Sequence, residues 1–185
     1  MRVTVADVPG VLVVEPTAFG DHRGFFLETY HEGRYREAGF TDCFVQDNHS
    51  RSRRGVLRGL HYQLIQPQGK LVMVTRGEVF DVAVDIRKGS PTFGRWAGCI
   101  LDDHSHRQFY VPPGFAHGFC VLSEEVDFVY KCTDYYHPES ERGIAWDDPD
   151  IGIKWPRLDM TLSAKDRRNP RLADQSPENL PVYVS

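Results

Sequence analysis

The sequence predicts a mostly β fold of the sandwich or barrel type. Two mainly apolar runs within residues 70–87 flank Arg76-Gly77-Glu78. In the second run, apolar side chains alternate with polar or small ones. Alternation with a period of two next to a glycine turn predicts a β-hairpin. The 16 glycines and 12 prolines separate further short runs rich in β-branched and aromatic residues. Roughly ten short strands are typical of one sandwich or barrel, and a chain of 185 residues predicts a single domain over residues 1–185.

The remaining strands are predicted where short apolar runs lie between turn signals. In chain order they cover residues 11–15, 25–30, 44–47, 56–63, 96–101, 108–111, 117–122 and 126–134. Helix is limited to residues 32–38, which Gly39 ends, and to a short piece near residues 163–168 with Ser163 as its N-cap. We expect residues 179–185 to form an extended arm.

Composition and charge exclude several functional classes. A net charge of -4 and a pI near 6.0 argue against nucleic acid as the main partner, which needs a broad basic surface. No apolar run approaches the roughly 18–20 residues that span a bilayer, and the amino terminus lacks the apolar stretch of a signal peptide, so we expect a cytoplasmic protein without membrane partners. The four cysteines form no C-x-x-C pair and predict reduced core or strand residues.

Residues 44–63 hold the densest group of polar side chains in the sequence. Arg51, Arg53 and Arg54 are typical of a solvated loop between two strands. Arg58 and His61 lie inside the apolar run 56–62, where a buried charge is costly unless it is paired, so they predict a ligand or a carboxylate partner. Simple alternation puts these two side chains on opposite faces. If both serve one site, residue 59, a glycine, must mark a bulge.

The residue pattern favours acid–base chemistry over metal or nucleophilic chemistry. His61 has no histidine two residues away and no glutamate shortly after it, unlike the ligand sets of metal-dependent barrels. The sequence has no G-x-S-x-G motif and no cysteine in an obviously electropositive setting. We therefore predict no metal site.

Long motifs along residues 10–172 resemble the family of dTDP-4-dehydrorhamnose 3,5-epimerases. The matching segments are residues 44–63, 68–72, 77–94, 113–119, 130–136 and 162–166. The resemblance implies a jelly-roll (cupin-type) fold, a homodimer, and a dTDP-linked 4-keto-6-deoxyhexose substrate that is inverted at C3 and C5. It implies no cofactor, because removing a proton beside an existing ketone needs neither a hydride carrier nor a metal.

The resemblance also implies four catalytic side chains. His61 resembles the family's base, and Asp166 resembles the carboxylate that bonds the other ring nitrogen and stabilises the imidazolium. Lys70 resembles the cation beside the C4 oxygen. Tyr130 resembles the acid that returns a proton from the opposite face of the sugar.

Further residues resemble the family's substrate-binding positions. Within the central motifs these are Gln46, Asn48, Ser50, Arg58, His117 and Tyr136. Arg58 has the guanidinium fork that suits a diphosphate, and Tyr136 resembles a residue that stacks on the base. Phe19, Arg23 and Glu28 lie in a segment that resembles one reaching into the partner subunit. The resemblance therefore implies that the dimer completes each site across its interface.

Three alternatives stay open from the sequence. One is a 3- or 5-monoepimerase or a ketoisomerase that acts on the same kind of nucleotide sugar. Another is a non-catalytic cupin that binds a nucleotide sugar, against which the presence of Lys70, Tyr130 and Asp166 argues, since binding alone needs no acid–base pair. The third is a metal-dependent oxygenase.

Overall fold

The computed structural model describes residues 1–184 and consists mainly of antiparallel β-strands with one short α-helix. The strands are β1 (Arg2–Val5), β2 (Leu12–Glu15), β3 (Ala18–Asp21), β4 (Gly24–Leu27), β5 (Gln46–Arg53), β6 (Leu57–Gln63), β7 (Lys70–Arg76), β8 (Glu78–Asp85), β9 (Trp96–Asp102), β10 (Gln108–Val111), β11 (Phe115–Val121), β12 (Glu125–Cys132) and β13 (Glu141–Gly143). Helix α1 covers Glu32–Glu37, and single 3₁₀ turns cover Pro138–Ser140, Asp166–Arg168, Leu172–Asp174 and Pro177–Asn179.

The strands form two facing sheets and a separate ribbon. Sheet I has the order β1-β2-β10-β7-β12-β5, sheet II has the order β13-β6-β11-β8-β9, and β3 pairs with β4. Apolar side chains of both sheets share one core, in which the rings of Phe119 from sheet II and Phe128 from sheet I stack with centroids 4.1 Å apart. The predicted mostly β sandwich with few short helices is confirmed.

The predicted hairpin around Gly77 is wrong. Strand β7 pairs with β10 and β12 in sheet I, whereas β8 pairs with β9 and β11 in sheet II. The turn therefore carries the chain from one sheet to the other. Gly77 has a φ of 86°, and a Cβ atom at this position would collide with the carbonyl oxygen of Glu125. The glycine correctly indicates a turn, but not which sheet the next strand joins.

Strand β5 is longer than the predicted residues 44–47. It covers Gln46–Arg53 and pairs with β12 along its whole length. Arg51 and Arg53, predicted to lie in a loop, are therefore strand residues, although both are exposed as expected. The side chains of β5 alternate between exposed and partly buried, which turns one polar face of the strand towards the interior.

Most other element boundaries differ from the predicted ones by one to three residues, while β1, β3 and β13 were not predicted. Helix α1 ends before Gly39 as expected. The N-cap of the 3₁₀ turn at residues 166–168 is Lys165 and not Ser163 as predicted, although the Ser163 hydroxyl accepts a hydrogen bond from the Asp166 amide at 3.0 Å. In the predicted arm, the amide of Tyr183 donates to the carbonyl of Lys88 at 2.9 Å. Residue 185 lies outside the described residues.

The cysteines are free thiols within the described chain. Cys99, Cys120 and Cys132 lie on strands, in agreement with the prediction, but Cys43 is exposed and outside any strand. Among residues 1–184 we find no helix with the length and apolar character that crossing a membrane requires.

Candidate active site

A cavity of about 520 Å³ opens between the two sheets. Sheet I lines it with Ser50, Lys70, Phe128 and Tyr130, sheet II lines it with Arg58, His61, His117 and Phe119, and residues 161–166 form a third side. A smaller pocket continues it and adds Gln68 and Tyr136. This volume lies within the usual range of small-molecule sites.

A bulge in β6 brings Arg58 and His61 to the same cavity. His61 is opposite His117 on β11, and Arg58 is opposite Phe119, so β6 contains one more residue than β11 between these pairs. Gly59 has a φ of 132°, and a Cβ atom there would lie 2.6 Å from the Gly118 Cα atom. The predicted bulge is confirmed, and only glycine fits it.

His61 and Asp166 form a dyad at the cavity wall. The Nε2 atom of His61 lies 2.6 Å from Asp166 Oδ1, and the side chains are 27% and 5% exposed, respectively. Burial by itself would raise the pKa of Asp166, but hydrogen bonds from His61, Ser163 and the Gly59 amide outweigh it and lower that pKa. The carboxylate is therefore ionised at neutral pH, and Nδ1 is the ring nitrogen left to take up a proton.

Lys70 and Tyr130 lie side by side on the facing sheet. Lys70 is opposite Cys132, and Tyr130 is opposite Val72, so both side chains project from the same face two positions apart. Burial lowers the pKa of Lys70 and raises the pKa of Tyr130, which keeps the phenol protonated at neutral pH. Within the described chain, neither polar head group is engaged by a hydrogen bond or an ion pair. Both are available to a ligand between the sheets.

The sequence analysis missed a second histidine–carboxylate pair. His117 lines the cavity, and its Nε2 atom lies 2.9 Å from Asp81 Oδ1 on the neighbouring strand. Asp81 is completely buried, and burial raises its pKa against the opposing effect of His117. A carboxylate on an otherwise apolar strand was the available signal, because such a group needs a polar partner.

Glu141 is a second residue that the sequence analysis missed. It lies on the short strand β13, next to β6, and lines both the main cavity and the smaller pocket. Its Oε2 atom accepts hydrogen bonds from the Tyr136 hydroxyl at 3.1 Å and from the Lys165 ammonium. A polar three-residue strand carries no periodic pattern that would have marked it.

The predicted binding residues on β5 and β6 lie in or beside the cavity. The Nε and Nη2 atoms of Arg58 donate to the Ser52 hydroxyl at 3.1 and 3.0 Å, which orients the guanidinium at the mouth. Gln46 donates to the Asn48 side chain at 3.1 Å and accepts from the Tyr136 amide at 3.0 Å. Gln46 and Asn48 therefore lie on the inner side of β5 next to Tyr136, but they do not line the cavity itself as Ser50 does.

The structure does not bring Phe19, Arg23 and Glu28 to the cavity of this chain. Phe19 is 65% exposed on the β3–β4 ribbon. Arg23 forms an ion pair with Asp21 at 2.6 Å, and Glu28 pairs with Arg34. As for metals, residues 1–184 contain no group of three or more histidine, cysteine or acidic side chains arranged to hold an ion.

Comparison with known proteins identifies close relatives along the whole chain. The model of the dTDP-4-dehydrorhamnose 3,5-epimerase family matches residues 5–174. A dTDP-4-dehydrorhamnose 3,5-epimerase from Pseudomonas aeruginosa is 57% identical over 176 residues, which cover 94% of this chain and 97% of the relative. A dTDP-4-dehydrorhamnose 3-epimerase from Streptomyces niveus is 41% identical over 188 residues, which cover 100% of this chain and 91% of the relative.

A solved structure is similar over the same extent. It is that of dTDP-6-deoxy-D-glucose-3,5-epimerase from Legionella pneumophila in complex with dTDP-4-keto-L-rhamnose. It superimposes with a TM-score of 0.97 at 55% identity, covering 100% of this chain and 99% of that chain.

Proposed function

The chain belongs to the family of dTDP-4-dehydrorhamnose 3,5-epimerases, and from that premise we propose how its residues perform the reaction. It is an isomerase that inverts C3 and C5 of dTDP-4-keto-6-deoxy-D-glucose and gives dTDP-4-keto-L-rhamnose. The predicted jelly-roll (cupin-type) fold is confirmed as well. The observation that carries the mechanism is the His61–Asp166 dyad at 2.6 Å, which faces Lys70 and Tyr130 across one cavity.

We propose that Nδ1 of His61 removes the proton from C3 and, in a second round, from C5. These hydrogens are acidic only because the C4 ketone can delocalise the resulting charge, so a base must lie close to them. Asp166 holds Nε2 in the protonated form, which leaves Nδ1 unprotonated and stabilises the imidazolium that forms. Asp166 thus supports the base without taking the proton itself.

Lys70 would stabilise the enolate formed at C4. The Lys70 side chain is partly buried and lines the cavity, and it forms no hydrogen bond or ion pair within residues 1–184, so its ammonium group would be free to stabilise a developing negative charge on the ligand oxygen. Because burial lowers the pKa of Lys70, its proton is also easier to share with the enolate oxygen.

Tyr130 would return a proton to the other face of the sugar. It belongs to sheet I and His61 belongs to sheet II, so a ring bound between the sheets meets the base on one face and the phenol on the other. Inversion at a carbon requires this opposed pair, since a single group would return the proton to the face it came from.

Arg58, Ser50 and His117 would bind the dTDP-sugar inside the cavity, with Gln46, Asn48 and Tyr136 at its edge. The guanidinium of Arg58 is the cation at the mouth that suits a diphosphate. The support for these roles is the position of each side chain in or beside the cavity. The Tyr136 ring is about half exposed, as a residue that stacks on a nucleotide base would be before binding.

We further propose a homodimer in which Phe19, Arg23 and Glu28 reach the partner's site. The support is that Phe19, Phe25 and Phe26 are each 63–70% exposed on the β3–β4 ribbon, which pairs with no other strand within residues 1–184. An isolated two-stranded ribbon is marginally stable in water, and clustered exposed aromatic rings mark interaction surfaces. Action in the cytoplasm stays a prediction.

Incubation with dTDP-4-keto-6-deoxy-D-glucose in deuterated water tests the reaction and its base together. We expect NMR of the product to find deuterium at both C3 and C5, because each inversion introduces one solvent proton. In His61→Asn, exchange at both carbons should fall by roughly 10³–10⁴-fold, while dTDP affinity stays within about threefold because the diphosphate contacts remain.

A matched control is His104→Asn, which changes an exposed histidine outside the cavity. Deuterium at C3 alone in the wild-type product would identify a 3-monoepimerase, which is the activity that the name of the Streptomyces niveus relative states. Activity of His61→Asn within tenfold of wild type would remove His61 from the mechanism.

A further inference from the structure

Gln108 is a buried polar residue at the start of the otherwise apolar strand β10, and it is only 1% exposed. It is opposite Met73 of β7, three positions from Lys70, so it projects from the face of sheet I that points away from the cavity. A buried amide is costly unless its donor and acceptor are hydrogen-bonded. The partners of Gln108 therefore show what this residue holds in place.

The side-chain amide of Gln108 holds the segment that follows the β3–β4 ribbon. Its Nε2 atom donates to the Thr29 carbonyl at 2.6 Å, and its Oε1 atom accepts from the Tyr35 hydroxyl at 2.6 Å. Burial raises the pKa of Tyr35 to about 12, so this hydroxyl keeps its proton and donates. Thr29 directly follows Glu28. Gln108 thus connects sheet I both to the end of the ribbon and to helix α1.

Gln108 also lies close to the other end of the ribbon. It is opposite Val14 on β2, and only residues 16 and 17 separate β2 from β3. Both chain connections of the ribbon therefore pass within a few residues of a contact with β10. A change at this strand position can alter the direction in which the ribbon leaves the sheet.

His106, two residues before Gln108, contacts the ribbon itself. Its ring centroid lies 4.5 Å from that of Phe25, and the residue is buried. Its φ is 54°, in the left-handed region that residues other than glycine seldom adopt. Such a conformation persists where surrounding contacts compensate for its cost. In this conformation the imidazole packs against the ribbon.

A surface ion pair adds a weaker contact near the end of the ribbon. Glu28 pairs with Arg34 on α1, and the two side chains are 38% and 57% exposed, respectively. Ion pairs at this exposure contribute little, whereas a buried amide that loses its partners is costly. The contacts of Gln108 and His106 are therefore the ones that we expect to fix the ribbon.

We propose that His106 and Gln108 are positioning residues for the β3–β4 ribbon, which set its direction and thereby the affinity for the nucleotide. This inference rests on the proposed role of Phe19, Arg23 and Glu28 in the partner's site. Neither positioning residue lines the cavity or its continuation. The ribbon pairs with no other strand within residues 1–184, so side-chain contacts have to hold it. A ribbon that is already held loses less conformational entropy when it closes on a ligand, which increases affinity.

Gln108→Leu tests this role, because leucine suits an apolar strand but makes neither hydrogen bond. We expect the Kd for dTDP, measured by calorimetry, to rise roughly tenfold, while kcat at saturation stays within about threefold. His106→Asn removes the ring, but asparagine tolerates a positive φ, so its Kd should rise roughly threefold. Because His106→Asn leaves the buried hydrogen bonds in place, it tests the inference even if Gln108→Leu does not fold.

The matched control is Tyr110→Phe, which should bind dTDP as wild type does. It removes a buried hydrogen bond, to Asp42, from the same face of the same strand. Asp42 lies after helix α1 and not on the ribbon. Loss of stability alone would therefore affect Tyr110→Phe and Gln108→Leu alike, whereas loss of nucleotide affinity should be confined to Gln108→Leu.

Co-expression with His61→Asn separates positioning of the ribbon from a defect within the chain's own site. Gln108→Leu could disturb its own site through β7, which pairs with β10 and carries Lys70. In a heterodimer, however, the Gln108→Leu chain keeps His61 and receives an intact ribbon from its partner, so we expect turnover with wild-type affinity. A defect passed through β7 would remain in that chain, and every site with an intact His61 would then have weakened affinity.

Wild-type dTDP affinity in both Gln108→Leu and His106→Asn would overturn the inference. An equal loss of affinity in Tyr110→Phe, or the absence of high-affinity turnover in the co-expressed mixture, would do the same. Failure of the proposed ribbon function is distinguishable, because Arg23→Ala would then bind dTDP as tightly as wild type. Failure of this inference alone leaves Arg23→Ala weakened.

Discussion

The cavity between the sheets and the β3–β4 ribbon differ in how their functional groups are held. In the cavity, the proposed base, its carboxylate and the proposed binding arginine are held by contacts within one chain, such as His61 to Asp166 at 2.6 Å and Arg58 to Ser52 at 3.0 Å. On the ribbon, Phe19 and Arg23 are exposed, and Arg23 pairs with its neighbour Asp21.

This difference suits two different roles, proton transfer in the cavity and nucleotide binding on the β3–β4 ribbon. Groups that move protons must keep their geometry to within a fraction of an ångström, and the packed interior between two sheets provides that rigidity. The groups proposed to hold the nucleotide from the partner's side lie on a ribbon that pairs with no other strand within residues 1–184. Substitutions of the proposed proton-transfer groups in the cavity should therefore change the chemical step, and substitutions on the ribbon should change affinity.

Tyr130→Phe is expected to have the largest effect among the variants that sharpen this comparison. In the proposed mechanism, the dyad and Lys70 would still form and hold the enolate in this variant, but the donor on the opposite face of the cavity would be lost. Formation of the L-configured product should fall by roughly 10²–10⁴-fold, while substrate recovered from deuterated water carries label in its starting configuration. Both quantities are measured by NMR on one sample. Equal loss of exchange and inversion, or loss of neither, would make Tyr130 a core aromatic residue.

Asp166→Asn should have a smaller effect, again on rate more than on affinity. An asparagine can donate its amide to Nε2 and so favour the ring tautomer in which Nδ1 already carries a proton. We expect kcat to fall about 10²-fold, the lower end for a positioned acid–base group, with dTDP affinity close to wild type. Asp174→Asn, an exposed carboxylate, is the control. An unchanged rate would leave Asp166 with only a structural role in its 3₁₀ turn.

The sequence predicted the fold class and most strands, because short apolar runs rich in β-branched and aromatic residues are separated by glycine and proline. It failed at β5, where His49 and Arg51 face outwards while Asn48 and Ser50 face the interior. With polar residues on both faces, a strand that lines a polar site has the composition of a loop. The hairpin prediction at Gly77 failed for another reason. The pairing of β7 and β8 depends on contacts with β12 and β11, respectively, which lie far along the chain.

The candidate site was predicted best where a residue type conflicts with its surroundings or belongs to a long motif. Arg58 and His61 within an apolar run required a bulge, and the structure has it. Glu141 was missed because no local pattern links it to residues that approach only in the folded chain, whereas the position of Asp81 on a largely apolar strand was a signal that was not used. The contact between Lys165 and Glu141 spans 24 positions, a separation over which periodicity carries no information.

The smallest effect is expected from a substitution on the β3–β4 ribbon. It tests whether the ribbon contributes to affinity and not to the chemical step. In Arg23→Ala, one charge-assisted contact with the nucleotide would be lost, so dTDP affinity should fall roughly tenfold while kcat at saturation stays within about threefold. Arg36→Ala, an exposed arginine on α1 paired with Glu32, is the control. A fully active monomer in analytical ultracentrifugation would contradict the dimer.

Mixing two defective chains tests whether Arg23 on the β3–β4 ribbon serves the site of its own chain or that of its partner. If Arg23 serves the partner's site, a heterodimer of Arg23→Ala with His61→Asn contains one site with both defects and one with neither, because the Arg23→Ala chain keeps His61 and receives Arg23 from its partner. Random pairing of equal amounts then makes about a quarter of all sites fully wild type. We expect turnover with wild-type affinity in the co-expressed mixture, although neither variant alone provides it. If Arg23 served the site of its own chain, every site would keep one defect, and no such high-affinity turnover would be measured.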